Sequence, residues 1–186
     1  MMAHHNFILL LVMVYTLLEL LSIVLLARKR KLKYIAESIL VYAAFAIFLF
    51  LEYTGIFHTE EYILILVIAT VVLHTLVGEA FDIYHKSKVF DFWLHLLGAF
   101  SFALFIYSII NNIFKPTALP GLYIAIYITA LGTALGALFE ILEFIGDITN
   151  KSPLPSQHGL RDTDTDLIAN TIGAVLAGIT SLFIAL

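Results

Sequence analysis

Long blocks of apolar residues, parted by short polar breaks, run through nearly the whole chain, and no other feature narrows its possible folds as much. A helix needs about 20 mostly apolar residues to cross a hydrocarbon core of about 30 Å. Six blocks reach that length, at about residues 7–27, 34–57, 62–84, 89–110, 122–147 and 165–186. They nearly use up the chain and leave no room for a soluble domain. Soluble domains are nearer half apolar and place those residues in periodic stripes. Here 61% of residues are hydrophobic, and the mean hydropathy is +1.00. The expectation is therefore an all-α, polytopic integral membrane protein: a bundle of about six transmembrane helices forming a single transmembrane domain over residues 1–186.

The breaks are chemically distinct. Arg28 to Lys31, with Lys33, ends the first block, and His58 to Glu61 the second. His85 to Lys88 ends the third, and Asn111 to Gly121, with helix-breaking Pro116 and Pro120, the fourth. A loop of some 18 residues with Pro153, Pro155 and Gly159 precedes the sixth. Met1 to Asn6 lack the positive start of a cleavable leader, so the first block reads as a retained helix, with His4 and His5 as a disordered start.

Nine of the ten basic residues fall on one side of this arrangement: Arg28, Lys29, Arg30, Lys31, Lys33, Lys86, Lys88, Lys151 and Arg161. Lys115 stands alone on the other. Basic loops stay in the cytoplasm, so both termini are expected outside it. The chain has no cysteine, which excludes disulfides, thiolate metal sites and a Cys nucleophile. It has no basic stripe for nucleic acid. Membrane lipids are the expected partners, and oligomeric state is left open.

The cytoplasmic side also collects nine of the fourteen carboxylates: Glu79, Asp82, Asp91, Glu140, Glu143, Asp147, Asp162, Asp164 and Asp166. His85, His95 and His158 join them. Asp91 and His95 stand four apart, and Gly98 continues that face. Glu140, Glu143 and Asp147 follow helical spacing, with Gly132 and Gly136 deeper on the same stripe. Asp166, Asn170 and Gly173 repeat the pattern. Glycines let membrane helices approach closely, so the three stripes are expected to face one another.

At 1.5 Å per residue, His95 and Glu140 lie roughly 9 Å inside the boundary. Carboxylates at that depth must be paired, protonated or metal-bound. The expected metal set is Asp91, His95, Glu140, Glu143 and Asp166, holding a divalent cation such as Mg²⁺ or Mn²⁺. His95, Glu140 and Asp166 are the expected catalytic groups, with Asp162, Arg161 and Asn170 completing the polar pocket and Arg161 as its basic partner. Structural readings compete: Asp91 as an N-cap, Asp147 as a helix end at headgroup level, and Asp162 as part of a solvated cap. The Asp162–Asp166 run starts like an EF-hand, but Leu167 stands where that loop needs glycine. In the third block His74, Gly78 and Asp82 fall on one face, and mid-membrane Glu19 has no visible partner.

Three segments together resemble a known group. They are Phe90-Asp91-Phe92-Trp93-Leu94-His95, then Phe139-Glu140-Ile141-Leu142-Glu143, then the run from Gly159 through Arg161, Asp162, Asp166 and Asn170 to Gly173. Over residues 89 to 178 they resemble the YjdF-like bacterial inner-membrane proteins and the wider VanZ-like group. Glu143, where VanZ-like proteins often have Gln, favours the YjdF-like resemblance. It implies a multi-helix inner-membrane protein with a shared polar pocket, and no defined activity. Three functions stay open: a cation-dependent enzyme acting on a lipid or isoprenoid-phosphate headgroup, a proton- or cation-coupled transporter, and a structural membrane protein.

Overall fold

The computed structural model describes residues 2–116, 119–150, 156, 157 and 159–184, the side chains of 2, 3, 85, 88 and 150 aside. Among them every regular element is helical. The order is α1 (Met2–Arg28), α2 (Leu32–Tyr53), α3 (Glu61–Val72), a π-helical stretch (Leu73–Ala80), α4 (Ile83–Lys86), α5 (Lys88–Phe114), α6 (Gly121–Asn150) and α7 (Leu160–Thr180). Five stretches are long and apolar enough to span a membrane: His4–Arg28, Leu32–Tyr53, Glu61–Ala80, Val89–Phe114 and Gly121–Thr149. In hydrocarbon a backbone must satisfy its own N–H and C=O groups, and the helix does this within one segment. The chain is thus an all-α polytopic membrane protein.

It divides into two compact units, Met1–Lys88 and Val89–Leu186. In the first, α1 packs on α2, α3 and the π-helical stretch. Leu26, Leu76 and Ala80 form a small core there, flanked by Leu18, Leu25, Tyr34, Ile35 and Val72. Two helices end in the same backbone device. Arg30, with φ of 58°, closes α1, and the Lys31 N–H reaches back to the Leu26 carbonyl at 3.1 Å. Gly55, with φ of 78°, closes α2, and Ile56 bonds the Leu51 carbonyl at 3.0 Å. A left-handed residue just past a helix satisfies carbonyls that would otherwise be orphaned.

In the second unit α6 packs closely on α7. The buried face of α7 is Asp166, Ala169, Asn170, Gly173, Ala174, Ala177 and Gly178, mostly small residues recurring at helical spacing. A methyl at Gly132 would meet the β-carbons of Ala174 and Ala103, and one at Gly173 would meet the Leu96 carbonyl. Close backbone approach of α5, α6 and α7 therefore depends on the missing side chains. Gly98 is half-buried. Large apolar side chains such as Leu122, Ile126, Leu142 and Phe144 point out of this unit, as lipid-facing residues do.

Several expectations are corrected. The third block is not one helix over residues 62–84: it passes into a π-helix, and Asp82 at φ of 60° turns the chain before α4. His4 and His5 lie within α1 rather than in a disordered start. The last helix begins at Leu160 instead of Thr165 and gives way to turns after Thr180, because the polar Arg161-to-Asp166 run helps form its first turns. The fifth block also runs further than expected, since α6 continues to Asn150. Lys151, Pro153, Pro155, His158 and Leu186 lie outside the described residues, as does the side chain of His85.

Candidate functional site

In the second unit α5 carries Asp91 and His95 one turn apart, with Asp91 Oδ1 3.4 Å from His95 Nε2. The other ring nitrogen, Nδ1, lies 3.6 Å from Glu140 Oε1 on α6. From α7, Asp166 completes a group in which one donor atom each of Asp91, His95 and Asp166 all lie within 4.8 Å of one another. Glu140, Asp166 and Asn170 are 4%, 5% and 4% exposed. The His95 ring meets Phe139 edge to face at 5.7 Å. Gly136 makes room for Asn170: a β-carbon at 136 would sit 2.6 Å from Asn170 Cγ.

The remaining expected residues divide. Glu143 is half-buried, and its charge reaches His95. Asp162 is half-buried, and its charge reaches Glu140 and Asp166. Arg161 is exposed and enters no ion pair among the described residues, so the basic side chain beside the carboxylates is His95. Arg161 sits in the first turn of α7, beyond the buried face that starts at Asp166. Asp91 is not an N-cap, because α5 begins at Lys88. Asp162 falls in the first turn of α7, where Gly159 is the capping position.

Spacing missed a clasp beside this group. Asp147 accepts the backbone N–H groups of Ser156 (2.8 Å) and Gln157 (2.9 Å). That fixes Gln157, whose amide donates to the Glu140 backbone carbonyl at 3.0 Å and to Glu140 Oε2 at 3.2 Å. Asp147 thus anchors the loop that covers Glu140. Gln157 lies outside any helical stripe, so no periodicity could select it. The Oε1 atom of Glu140 has no hydrogen-bond partner, nor has Asn170 Nδ2. A buried polar atom in that state costs about 1–3 kcal/mol; the Glu140 oxygen is an acceptor that suits a bound cation or a shared proton, and the Asn170 amide nitrogen is a donor that suits an anionic oxygen.

The first unit holds a second polar group. Thr75 donates to Glu19 Oε1 at 2.8 Å, which supplies the partner that Glu19 lacks in the sequence. His74 Nε2 lies 3.3 Å from Glu79 Oε1, and its Nδ1 bonds the Tyr84 hydroxyl. His74 and Glu79 are five apart, and a π-turn closes from i to i+5, so the π-helix brings them together. The expected His74–Gly78–Asp82 face assumed a 3.6-residue period and is not formed. Gly78 instead receives the Tyr84 ring. Lys29 and Lys31 both bond Asp82, and they also cap the carbonyls of Ala80 (2.6 Å) and Glu79 (3.0 Å). The bond from Lys29, then that from Lys31, holds the Asp82 carboxyl down at about 2.

Residues 7–185 match a family model described as a predicted membrane protein, DUF2238. A protein of Thermotoga maritima, described as uncharacterized, is 32% identical over 127 residues, 65% of this chain. The match spans 63% of that relative's length. No solved structure matches the chain.

Proposed function

From the premise that this chain belongs to the DUF2238 family of predicted membrane proteins, we propose that it binds a divalent cation at Asp91, His95, Glu140 and Asp166 and uses it to hold the phosphate of a lipid or isoprenoid headgroup. One observation carries this reading. Donor atoms of Asp91, His95 and Asp166 crowd within 4.8 Å, beside a buried Glu140 oxygen with no hydrogen-bond partner. Three carboxylates around one imidazole are a net anionic set. Burying it without a counter-charge is costly, and an oxygen-rich set with one imidazole suits Mg²⁺ or Mn²⁺. Glu143 and Asp162 add negative charge at the rim.

In this reading Asp91, Asp166 and Glu140 supply oxygen ligands, and His95 is either a ligand or the base that takes a proton from water. Gln157 orients Glu140. The group lies about two turns inside the α5 start. The YjdF-like and VanZ-like resemblance over residues 89 to 178 supports a shared polar pocket, and the basic asymmetry, with α7 taken as a sixth crossing beside the five apolar spans, supports a cytoplasmic-side site with both termini outside.

Mn²⁺ titration of the purified chain, read by electron paramagnetic resonance, tests the cation. Glu140→Gln and Asp166→Asn should each weaken binding at least tenfold. Wild-type affinity in both variants would sink the site. Phosphate release from an isoprenoid pyrophosphate, with and without Mn²⁺, then tests the headgroup.

Cation- or proton-coupled transport is the second reading. It is favoured by the buried Glu19 and Glu79 of the first unit, with the half-buried His74 beside Glu79, where Glu19 Oε2 and Glu79 Oε2 have no hydrogen-bond partner. Membrane carboxylates of this kind commonly mark ion paths. Ion flux into proteoliposomes that is lost in Glu19→Gln would favour transport over headgroup chemistry.

A further inference from the structure

At the end of the first unit away from its basic turn, three elements place two histidines and a glutamate together. His4 comes from the start of α1, Glu52 from the end of α2, and His58 from the turn that follows. One donor atom of each lies within 4.8 Å of the others. Glu52 is 1% exposed, whereas His58 is open to solvent. We propose that His4, Glu52 and His58 form a binding site for a borderline divalent transition ion, with Zn²⁺ as the ion of best fit.

The hydrogen bonds around Glu52 divide its two oxygens between separate tasks. Oε1 accepts the Thr59 N–H at 2.8 Å, which ties down the turn that carries His58. Oε2 is buried without a partner. A carboxylate buried at the membrane boundary with one oxygen unused is what a cation ligand requires, and it is an observation separate from the clustering. His4 is arranged in the same way. Its Nε2 lies 3.5 Å from Glu52 Oε1 and has no hydrogen-bond partner. Its Nδ1 lies 3.4 Å from Glu61 Oε1. A metal-bound histidine typically passes its other ring N–H to a carboxylate, which fixes the tautomer and makes the ligating nitrogen more basic. Glu61 occupies that outer position here.

Two imidazoles and one carboxylate are the ligand set of many zinc sites that keep a fourth position for water. The nitrogen-rich set also separates this site from the oxygen-rich group around His95, because imidazole favours zinc, copper and nickel while carboxylates favour magnesium and manganese. The two sites should therefore sort ions.

The test uses the full chain, purified in detergent with a handle free of histidine and stripped with chelator. Zn²⁺ is titrated by competition against a chromophoric chelator. The wild type should bind one equivalent that is lost in His58→Ala and weakened at least tenfold in Glu52→Gln. It should persist in Glu140→Gln, so failure here is distinguishable from failure at the other site. Glu61→Ala should weaken it about tenfold through the outer contact. His58 is exposed, and an unchanged melting temperature of His58→Ala without Zn²⁺ verifies that its replacement leaves the packing intact. X-ray absorption of the Zn²⁺-loaded protein should show two imidazoles. Zinc binding unaltered in His58→Ala, or a zinc shell without imidazole, would overturn the proposal.

Discussion

Replacing Gly132 with alanine tests the packing on which the His95 group depends. The new β-carbon would lie 2.7 Å from Ala174 Cβ, 2.9 Å from Ala103 Cβ and 3.1 Å from Ala174 Cα. Unstrained carbon contacts lie at about 3.5–4.0 Å, so all three are short, and one is to backbone. Overpacking of a tight core costs about 1–3 kcal/mol. Contacts on two helices at once, neither with a flexible end to swing away, put this case at the upper end. Alanine's better helix propensity returns about 1 kcal/mol, leaving a net loss of about 2 kcal/mol. Gly121→Ala is the control, because its β-carbon would lie 3.6 Å from the mobile end of Leu182. Unfolding in mixed micelles of rising sodium dodecyl sulfate content should show Gly132→Ala clearly destabilised and Gly121→Ala close to wild type. If Gly132→Ala is as stable as the wild type, the close approach of α5, α6 and α7 is wrong, and with it the assembly of the site.

Three further outcomes are expected. The Asp82 carboxyl sits at about 2, below its ordinary 3.8, so it stabilises the fold above pH 4, and that contribution fades as pH falls towards 2. Asp82→Asn, which tolerates the left-handed backbone, should lower the unfolding midpoint at pH 6 by an amount that shrinks on acidification; a pH-independent difference would refute the Lys29–Asp82–Lys31 linkage. Asp147→Asn should speed amide exchange at Ser156 and Gln157, since bonds to a charged acceptor contribute about 1.5–3 kcal/mol, while weakening Mn²⁺ less than Glu140→Gln; unchanged exchange would count against the clasp. A fluorescent protein that matures only in the cytoplasm, fused after Leu186, should stay dark, and bright cells would reverse the orientation or remove one crossing.

The sequence by itself determined that the chain is a membrane protein of apolar helices. Hydrophobic length is a local property, and lipid leaves the backbone little choice but to satisfy itself within each segment. It also brought out Asp91, His95, Glu140 and Asp166, because residues on rigid α-helices keep a 3.6-residue period that can be read without coordinates. Tertiary structure decided what lies off that period. Gln157 reaches Glu140 from a loop, and Asp147 holds that loop instead of merely ending a helix. His74 meets Glu79 through a π-turn, and Glu19 finds Thr75, 56 positions away. His4 and Glu52 sit at opposite ends of two antiparallel segments, so their meeting depends on how α1 packs against α2. Hydrophobic spacing fixes which segments enter the membrane, but side-chain partners across segments follow from packing and turn geometry, which no local pattern encodes.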